Sequence, residues 1–488
     1  MSGRQKLSAP SSPGMRFSST QLSAARSLQA ELEYAQMLVE QESADIYSAE
    51  IASFNSDIIP PVSRPYAVLR AKSAAVVSSE TSSGVGTVTP ATDGIRAMCR
   101  YRQALTPYEL KEIVMYTDVY FVGRKAVKTN EKALAEDSNH GFDDGEDFYK
   151  FTAHDHIDYR YEMLKVLGTG AFGQVIKAFD HKENRHVALK IMKNTDKSIR
   201  LCLQESRMMQ LLVKLDVHKE ANMTALLRSF KFRNHMIMVM DVCAMDLYTL
   251  LCKRKDRNSG FSMPVVRKFA LGLLRTLRFM ERQDIIHCDL KLENILLMDP
   301  SRTGVKLCDF NTSCRLSERL YGYIQSRYYR APEVVLRIKE QQYGPPMDMW
   351  SLGCIIAELQ TGQILFPGGN EADMVALFCE MLGLPPASLL ERCSSVSPTY
   401  FHEGNPPIPT YCTSFKDSYG RRRLLTGAVV FKRMRGRPGT KCLAQFFDMA
   451  ENTPFVDFVR QCLDWNPDTR LKASEAFSHP WILNRYPE

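Results

Sequence analysis

The sequence lacks the features of a membrane-spanning or disulfide-built protein. No run approaches the roughly 18 apolar residues that a transmembrane helix needs, and residues 1–6 lack the apolar core of a secretory signal. The 13 cysteines are odd in number and include no C-x-x-C pair. These absences argue against a membrane protein, a disulfide framework and a cysteine-based zinc site. We therefore predict reduced thiols and a cytoplasmic location, extending to the nucleus.

Strong charge bias is also missing. The net charge of +8 over 488 residues favours anionic partners only mildly, and the hydrophobic fraction of 44% is that of a globular protein. The length exceeds that of one ordinary domain and leaves room for accessory segments. Composition therefore predicts a large folded protein but does not identify its function.

The first 95 residues differ in texture from the rest. They contain serine-rich runs and one amphipathic stretch near 20–48, so a mostly disordered tail is favoured over a helix that docks a regulatory partner. After residue 96, Thr106-Pro107 with Glu109 predicts a capped helix start. The run 119–122 predicts a short strand, and the acidic segment 136–147 predicts a linker.

From residue 159 onward, short strand-like runs give way to long helical patterns beyond residue 246. A strand-rich block followed by a helical block predicts two lobes with a cleft between them.

A glycine-rich segment, 168–175 with the sequence GTGAFGQV, lies between two strand-like runs. Glycines allow backbone N–H groups to approach phosphate oxygens that side chains would keep away. Alone, this pattern also fits a dinucleotide-binding turn or a plain hairpin. A dinucleotide site would place a helix directly afterwards, whereas 175–178 favours another strand. The segment therefore predicts a loop that covers nucleotide phosphates.

Lys190 and Glu205 are the next candidates along the chain. Lys190 ends the strand-like run 187–190, and Glu205 falls within the helical pattern 198–212. From a helix, Glu205 can reach Lys190 and hold its ammonium against two phosphates. Taken alone, both residues are equally compatible with ordinary surface charges, and it is the neighbouring motifs that favour the functional interpretation.

The segment 287–294, with the sequence HCDLKLEN, concentrates the groups that phosphoryl transfer needs. Asp289 suits contact with an attacking hydroxyl, and Lys291 supplies a cation beside the transferring group. Asn294 offers an oxygen ligand for Mg²⁺. Asp309, which follows an apolar run, can chelate a metal that bridges phosphates. The order and spacing of these motifs predict phosphoryl transfer from ATP.

In this order the motifs resemble those of eukaryotic protein kinases, and more narrowly the dual-specificity tyrosine-regulated kinases (DYRK) of the CMGC group. The narrower resemblance rests on His-Cys-Asp at 287–289 in place of His-Arg-Asp, and on YGYIQSRYYR at 321–330. Residues 155–161 resemble the family's DH box, and 105–128 resemble the accessory region of its second class. The resemblance covers about residues 96–485.

The resemblance implies an α+β fold, a bilobal protein kinase with a small β-rich N-lobe, a larger helical C-lobe and an N-terminal accessory segment. The implied boundaries are 1–95 for the tail, 96–150 for the accessory region and acidic linker, 151–243 for the N-lobe, and 244–485 for the C-lobe.

ATP and Mg²⁺ are implied to lie between the lobes, with Met240 as gatekeeper. The implied catalytic residues are Asp289, Lys291, Lys190 and Glu205, and the implied metal ligands are Asn294 and Asp309. The residues implied to bind ATP are Gly168, Thr169, Gly170, Ala171, Phe172, Gly173, Val175, Ala188, Lys190, Met240, Asp241, Val242, Cys243, Asp246 and Leu296.

The segment 321–330, which directly precedes Ala-Pro-Glu at 331–333, is implied to be regulated by phosphorylation. The family implies that Tyr323 is phosphorylated by the enzyme itself and then held by Arg327 and Arg330, since two guanidinium groups can grip a phosphate bidentately. Packed aromatic side chains are the alternative at 321 and 323. Glu333 is expected to form an ion pair with the distant Arg470.

The resemblance also implies protein substrates in which Ser or Thr precedes Pro, and a monomeric enzyme. An arginine a few residues before the phosphorylated residue is implied to bind Glu293.

Two departures from the family pattern support an alternative function, that of a pseudokinase scaffold without catalytic activity. Asn311 stands where the metal-binding motif normally ends in Gly, and Leu292 stands where Pro is usual. Asn tolerates a positive φ better than other non-glycine residues, so an active kinase is favoured over a pseudokinase scaffold.

The basic run 432–441 contains Arg-Gly-Arg-Pro, which suggests a DNA minor-groove contact. A solvated surface loop is favoured, and nucleic acid is not an expected partner.

Overall fold

The computed structural model describes residues 91–128, 136–254, 260–299, 303–319, 324–338, 343–393, 397–402, 407–419, 422–427, 429–430 and 433–483. The predicted tail, apart from 91–95, lies outside this range, as do the helix near 20–48 and Tyr323. Across the described part of the chain, none of the helices combines the length and apolarity needed to traverse a membrane.

The accessory region forms two short helices, α1 (Gly94–Tyr101) and α2 (Pro107–Glu112). The predicted capping box begins α2: the Glu109 N–H donates to Thr106 Oγ1 at 3.2 Å, and the Thr106 N–H donates to Glu109 Oε2 at 2.9 Å. Short 3₁₀ turns follow each helix, at Arg102–Ala104 and Ile113–Met115. The predicted strand at 119–122 is reduced to one antiparallel bridge, between Val119 and Thr92.

A buried group of charged side chains joins the accessory region to the N-lobe. We call it the interface cluster; it consists of Glu109, Glu112, Lys128, His156 and Arg233. Lys128 Nζ lies 2.8 and 2.7 Å from the two Glu109 oxygens, and His156 Nε2 lies 2.8 Å from Glu109 Oε1. Arg233 donates to Glu112 Oε2 at 2.8 Å. Burial opposes the ionisation of Glu109, yet His156 and Lys128 together hold its pKa well below the usual range.

The acidic segment 136–147 packs against the N-lobe instead of forming the predicted linker. It contains a 3₁₀ helix, Glu136–Gly141, followed by the buried Asp143. Asp143 Oδ1 lies 2.8 Å from His235 Nε2, and Asp143 Oδ2 accepts a hydrogen bond from Asn194 at 2.8 Å. Buried carboxylates need such partners, so this segment is part of the N-lobe's packing.

A twisted antiparallel sheet forms the N-lobe, with strand order β1-β2-β3-β4-β6-β5. Alternate residues of β3 are buried, as expected of a strand with one face on a core. The helix α3 (Asp196–Leu215), capped by Thr195, packs against the sheet. The strands are β1 (His156–Ile157), β2 (Tyr161–Gly170), β3 (Gly173–Asp180), β4 (Arg185–Met192), β5 (Leu226–Phe232) and β6 (His235–Asp241).

The C-lobe is mostly helical. Its hydrophobic core includes residues from the three long helices Met263–Arg282, Pro346–Thr361 and Glu371–Leu382. The apolar residues of Pro346–Thr361 are buried around almost the whole circumference of that helix. The helices are α4 (Leu247–Cys252), α5 (Met263–Arg282), α6 (Pro332–Val335), α7 (Pro346–Thr361), α8 (Glu371–Leu382), α9 (Ala387–Glu391), α10 (Ser397–Tyr400), α11 (Leu443–Phe447), α12 (Pro454–Cys462), α13 (Ala473–Ala476) and α14 (Pro480–Leu483).

Five short two-stranded ladders accompany the C-lobe helices in the described part of the chain. Two of them, β7 with β10 and β8 with β9, flank the segment 287–294. The strands are β7 (Ile285–Ile286), β8 (Ile295–Leu297), β9 (Val305–Leu307), β10 (Cys314–Arg315), β11 (Phe401–His402), β12 (Ile408–Pro409), β13 (Thr413–Lys416), β14 (Arg422–Thr426), β15 (Val429–Val430) and β16 (Arg433–Met434). The small β-rich lobe and the larger helical lobe confirm the predicted fold class.

Candidate active site

A cavity of about 530 Å³ lies between the sheet and the C-lobe. Gly168 borders it with open space where a side chain would project, whereas a Cβ on Gly173 would lie 2.5 Å from the carbonyl oxygen of Ile191. The hairpin of β2 and β3 therefore has glycine in two different settings. One glycine leaves room for a ligand, and the other permits the close packing of two strands.

Most of the predicted ATP-binding and metal-binding residues line this cavity. They are Gly168, Val175, Ala188, Lys190, Met240, Asp241, Cys243, Asp246, Asn294, Leu296 and Asp309, joined by Glu205 and Glu293. The other predicted nucleotide contacts, all within the described chain, do not border it: these are Thr169, Gly170, Ala171, Phe172, Gly173 and Val242. The prediction missed Lys165, Val166, Leu167, Thr224, Ala244, Met245, Thr249, Lys253 and Cys308. For Leu167 and Cys308 a signal existed, because each directly precedes a predicted motif.

Lys190, on β4, bridges two carboxylates at the back of the cavity. Its Nζ lies 2.9 and 2.6 Å from the oxygens of Glu205, on α3, and 3.1 Å from Asp309 Oδ1. Burial opposes the charge of Lys190, but the two carboxylates raise its pKa above the usual value. Burial raises the pKa of Glu205, and the Asp309 carboxylate acts in the same direction. Burial acts likewise on Asp309, but Lys190 lowers the pKa of that carboxyl on balance.

Asp289 and Lys291 form a second pair, and neither of them is among the residues that line the cavity. Lys291 Nζ lies 2.6 Å from Asp289 Oδ2, and the hydroxyl of Ser326 donates to Asp289 Oδ1 at 2.7 Å. Asn294 Nδ2 donates to the carbonyl oxygen of Asp289 at 2.9 Å, which orients the amide and leaves its Oδ1 as an acceptor. Sequence reasoning missed Ser326, although it lies just before Ala-Pro-Glu in the segment that carried the resemblance.

A buried carboxylate fixes the backbone of the catalytic segment. Asp348, on α7, accepts hydrogen bonds from the N–H of His287 at 2.8 Å and of Cys288 at 3.2 Å. Burial raises the pKa of Asp348 to about 7. Cys288 has a φ of +67°, a conformation uncommon for a residue with a side chain. Asp348 therefore holds the turn that presents Asp289 to the cleft.

The segment before Ala-Pro-Glu positions both predicted phosphotyrosine ligands. Arg330 is buried and donates to the carbonyl oxygens of Ile324 and Gln325, at 2.9 and 2.8 Å. Arg327 is exposed and donates to the carbonyl oxygen of Gly369 at 2.9 Å. Their partner in the prediction, Tyr323, lies outside the described residues.

The ion pair predicted between Glu333 and Arg470 is confirmed. Arg470 NH1 and NH2 lie 2.6 and 2.8 Å from the two oxygens of Glu333, and both side chains are almost fully buried. The two residues are separated by 137 positions in the chain. The pair anchors the segment that contains Ala-Pro-Glu, at 331–333, to the loop before α13.

A cluster of potential metal ligands in the accessory region does not form a metal site. Glu109, Asp155 and His156 bring potential metal ligands together, but the ammonium of Lys128 lies 2.7 Å from Glu109 and 3.6 Å from Asp155. A protein cation therefore already occupies that position.

In the basic run 432–441, Arg435 is buried and pairs with both oxygens of Asp373 at 2.6 and 2.9 Å. The predicted solvated loop is wrong for Arg435, which is equally inaccessible to a DNA groove.

The donor set of the cleft fits ATP with Mg²⁺. The amide oxygen of Asn294 and the carboxylate of Asp309 both border the cavity and are hard oxygen ligands of the kind that Mg²⁺ prefers. Lys190 supplies a cation for phosphate oxygens beside them. A cavity of about 530 Å³ falls in the range of small-molecule sites.

Comparison with known proteins agrees with this geometry. A family model described as "Protein kinase domain" matches residues 161–482. The chain is 39% identical over 454 residues to dual specificity tyrosine-phosphorylation-regulated kinase 3 of Rattus norvegicus, covering 92% of this chain and 76% of the rat protein. It is 41% identical to the Homo sapiens protein of the same name, covering 84% of this chain and 68% of that protein. For the Caenorhabditis elegans kinase mbk-2, identity is 42% over 78% of this chain, which spans 46% of the worm protein. The chain therefore belongs to the protein kinases and, among them, to the dual specificity tyrosine-phosphorylation-regulated kinases.

Proposed function

We propose that the protein transfers the γ-phosphoryl group of ATP to Ser or Thr residues followed by Pro, and that it phosphorylates its own Tyr323. The bridge from Lys190 to both Glu205 and Asp309 is the observation that carries this proposal. It brings together Lys190 on β4, Glu205 on α3 and the carboxylate of Asp309, the three groups that we expect to bind phosphate and metal. The family to which the chain belongs uses ATP with Mg²⁺.

Each side chain has a separate task in the proposed transfer. Lys190, held by Glu205, fixes the α- and β-phosphates. Asp289 orients the substrate hydroxyl and accepts its proton, while Lys291 stabilises the negative charge on the transferring group. Asn294 and Asp309 would hold Mg²⁺, which would supply positive charge beside the phosphate oxygens. Ser326 holds one Asp289 oxygen through its hydroxyl, which limits the rotation of that carboxylate.

The test compares the purified protein with an Asp289→Asn variant. Mass spectrometry should find phosphate on Tyr323 in the parent and none in the variant. ATP turnover on a Ser-Pro peptide should fall by about 10²–10⁴-fold, the usual contribution of a positioned base. If the parent binds Mg·ATP yet leaves both Tyr323 and the peptide unmodified, the pseudokinase scaffold becomes the better description.

Glu293 provides a test of substrate choice. It is exposed and borders the cavity, where an arginine preceding the phosphorylated residue can reach it. We propose that a Glu293→Lys variant loses its preference for peptides with that arginine while keeping turnover of peptides without it. An unchanged ranking of the two peptides would remove Glu293 from the substrate site.

A further inference from the structure

A compact turn of the chain contacts the glycine-rich segment 168–175 from outside the cleft. We call this turn the brace; it consists of residues 143–149. An antiparallel bridge between its two end residues closes it. Within it, Asp144 Oδ1 accepts hydrogen bonds from the N–H groups of Glu146 and Phe148, at 2.9 and 3.0 Å. Because an aspartate that binds nearby backbone N–H groups fixes a turn locally, the brace has a defined shape of its own.

The first contact of the brace is with the hairpin of β2 and β3. The side-chain amide of Gln174 is buried and donates a hydrogen bond to the carbonyl oxygen of Tyr149. Gln174 pairs with Thr169 across the hairpin, and the next residue, Val175, borders the cavity. Successive residues of a strand point to opposite faces. The brace therefore holds the glycine-rich end of the hairpin from the face that lies away from the cavity.

The second contact is with the connection between β4 and α3. The N–H of Asn194 donates to the carbonyl oxygen of Asp147 at 2.9 Å, and its Nδ2 donates to Asp143 Oδ2 at 2.8 Å. The residue before it, Lys193, donates its own N–H to the carbonyl oxygen of Phe172 at 2.9 Å. Phe172 lies at the tip of the glycine-rich segment. The brace is therefore joined to that tip through two adjacent residues.

The same connection leads directly into α3. Thr195, which follows Asn194, is the N-cap of this helix. The helix carries Glu205, whose oxygens lie 2.9 and 2.6 Å from Lys190 Nζ. One turn thus contacts both the glycine-rich hairpin and the start of the helix that holds Lys190.

We infer that the brace positions the glycine-rich segment for nucleotide binding, with Gln174 and Asn194 as its positioning residues. The inference rests on the proposed function in one respect, because it requires that ATP binds in the cavity that this segment borders. A Cβ added at Gly168 would meet no atom of the described chain within 4 Å, so the segment has little packing of its own there. A loop that is already ordered loses less conformational freedom when it closes on a ligand. The affinity for ATP should therefore depend on the contacts of the brace.

Exchanging the donor and the acceptor between Asn194 and Asp143 tests the second contact. Asn194→Asp places two carboxylates against each other, so the KM for Mg·ATP should rise at least about fivefold. The kcat and the KM for a Ser-Pro peptide should change by less than about twofold, since binding of the nucleotide alone is weakened. The Asp143→Asn/Asn194→Asp double variant should restore the KM for Mg·ATP. Its substituted side chain at 143 offers an amide to position 194 and keeps an oxygen for His235, which contacts Asp143 at 2.8 Å.

Gln174→Met tests the first contact, because it removes the donor to Tyr149 and preserves the length of the side chain. It should raise the KM for Mg·ATP in the same way. Two further measurements on the full-length protein do not depend on turnover. Amide hydrogen exchange at residues 168–174 should be faster in Gln174→Met and Asn194→Asp, and calorimetry should show weaker binding of a non-hydrolysable ATP analogue with Mg²⁺. If the parent protein phosphorylates no peptide, the proposed function fails, and these two measurements still decide the role of the brace.

Arg160→Met is the matched control. Arg160 donates to the two oxygens of Asp180 at 2.8 and 2.7 Å, at the end of the same hairpin that lies away from the glycine-rich segment. Its loss should lower stability in urea denaturation without changing the KM for Mg·ATP or the exchange at 168–174. Equal rises of this KM in Arg160→Met and Asn194→Asp would overturn the positioning role, as would unchanged exchange at 168–174 in both brace variants.

Discussion

The interface cluster and the ATP cleft contain the same kinds of charged side chain in different proportions. At the interface, Lys128 contacts both oxygens of Glu109 and His156 contacts one of them, and the pKa of Glu109 is lowered in spite of burial. In the cleft, the single ammonium of Lys190 is shared by Glu205 and Asp309. There, burial and the neighbouring carboxylate raise the pKa of Glu205.

The difference separates a structural arrangement from a catalytic one. Saturated ion pairs hold two segments together and leave little attraction for a further ion. A cleft in which the buried Glu205 and the partly exposed Asp309 share one lysine retains negative charge, and a divalent metal ion can neutralise it. The charge imbalance in the cleft is therefore part of its function, and it should come at some cost to the stability of the ligand-free protein.

The largest effect is expected for Asp309→Asn. The variant loses a carboxylate that we propose binds metal, so kcat/KM on a Ser-Pro peptide should fall at least about 10²-fold. Lys190 would then serve Glu205 alone, so the free energy of unfolding without nucleotide should stay the same or rise. Peptide turnover and urea denaturation measure the two quantities. Asp241→Asn is the control, since Asp241 borders the same cavity but pairs with Lys306; a loss of stability in Asp309→Asn alone would contradict the proposed imbalance.

The interface cluster should respond in the opposite way to Arg233→Met. This change leaves the carboxylate of Glu112 without its buried cation, which should lower the free energy of unfolding by about 3–5 kcal/mol. Turnover per folded molecule should change by less than about threefold, because Arg233 lies outside the cleft.

Arg228→Met is the matched control for that experiment. Arg228 pairs with Asp158 at 2.5 Å, but its side chain is 39% exposed, so its loss should cost about 1 kcal/mol or less. Comparable losses for the two variants in urea denaturation would show that burial does not distinguish these ion pairs.

Glu358 extends the comparison to a buried carboxylate whose partner is a hydroxyl hydrogen-bond donor and not a cation. The Tyr329 hydroxyl donates to Glu358 Oε2 at 2.7 Å, and burial raises the pKa of Glu358 to about 6. Because the folded state binds this proton more tightly than the unfolded state, the stability from this group is present at low pH. It is lost as the pH rises from about 4.5 to about 6.

A Glu358→Gln variant should therefore be the more stable protein at pH 8, by about 2 kcal/mol, and the advantage should shrink toward pH 5. Thermal and urea unfolding across this range measure the difference. Glu391→Gln, at an exposed position, should show no such trend. A pH-independent difference for Glu358→Gln would mean that Glu358 is not protonated by burial.

The smallest effect is expected for Asn311→Gly. The positive φ in this motif belongs to Asp309, at +65°, and not to Asn311. Glycine should therefore relieve no strain in this conformation, and it should lower the free energy of unfolding by about 0.5–1 kcal/mol through backbone entropy. Peptide turnover should change by less than about threefold. A rise of more than tenfold would show that Asn311 restrains the enzyme and would favour the scaffold alternative.

The sequence predicted the residues whose chemistry is carried by short local motifs. Their spacing along the chain, which is typical of one reaction, predicted Lys190, Glu205, Asp289, Asn294 and Asp309 as site residues. The same motifs predicted the fold class, which the structure confirms. Confirmation of the capping box at Thr106 has the same origin, since its two hydrogen bonds join residues three positions apart.

The contacts that the sequence did not reveal join residues far apart in the chain. Asp348 accepts a hydrogen bond from the backbone of His287, and Asp373 forms a buried ion pair with Arg435 of the basic run. Neither contact has a signature in the sequence near the residues that form it. The acidic character of 136–147 suggested a solvated linker because the sequence does not show that His235 and Asn194 supply partners for Asp143.

The buried pair between Glu333 and Arg470 has a consequence for the order in which the protein is completed. The ribosome synthesises Lys190, Asp289 and Asp309 well before it reaches Arg470. A chain that ends between residues 333 and 470 would therefore carry every proposed catalytic group but leave Glu333 without its buried cation, an arrangement that costs several kcal/mol. Nonsense mutations between codons 333 and 470 should thus yield chains with a complete set of reacting groups and no anchor for the segment that contains Glu333.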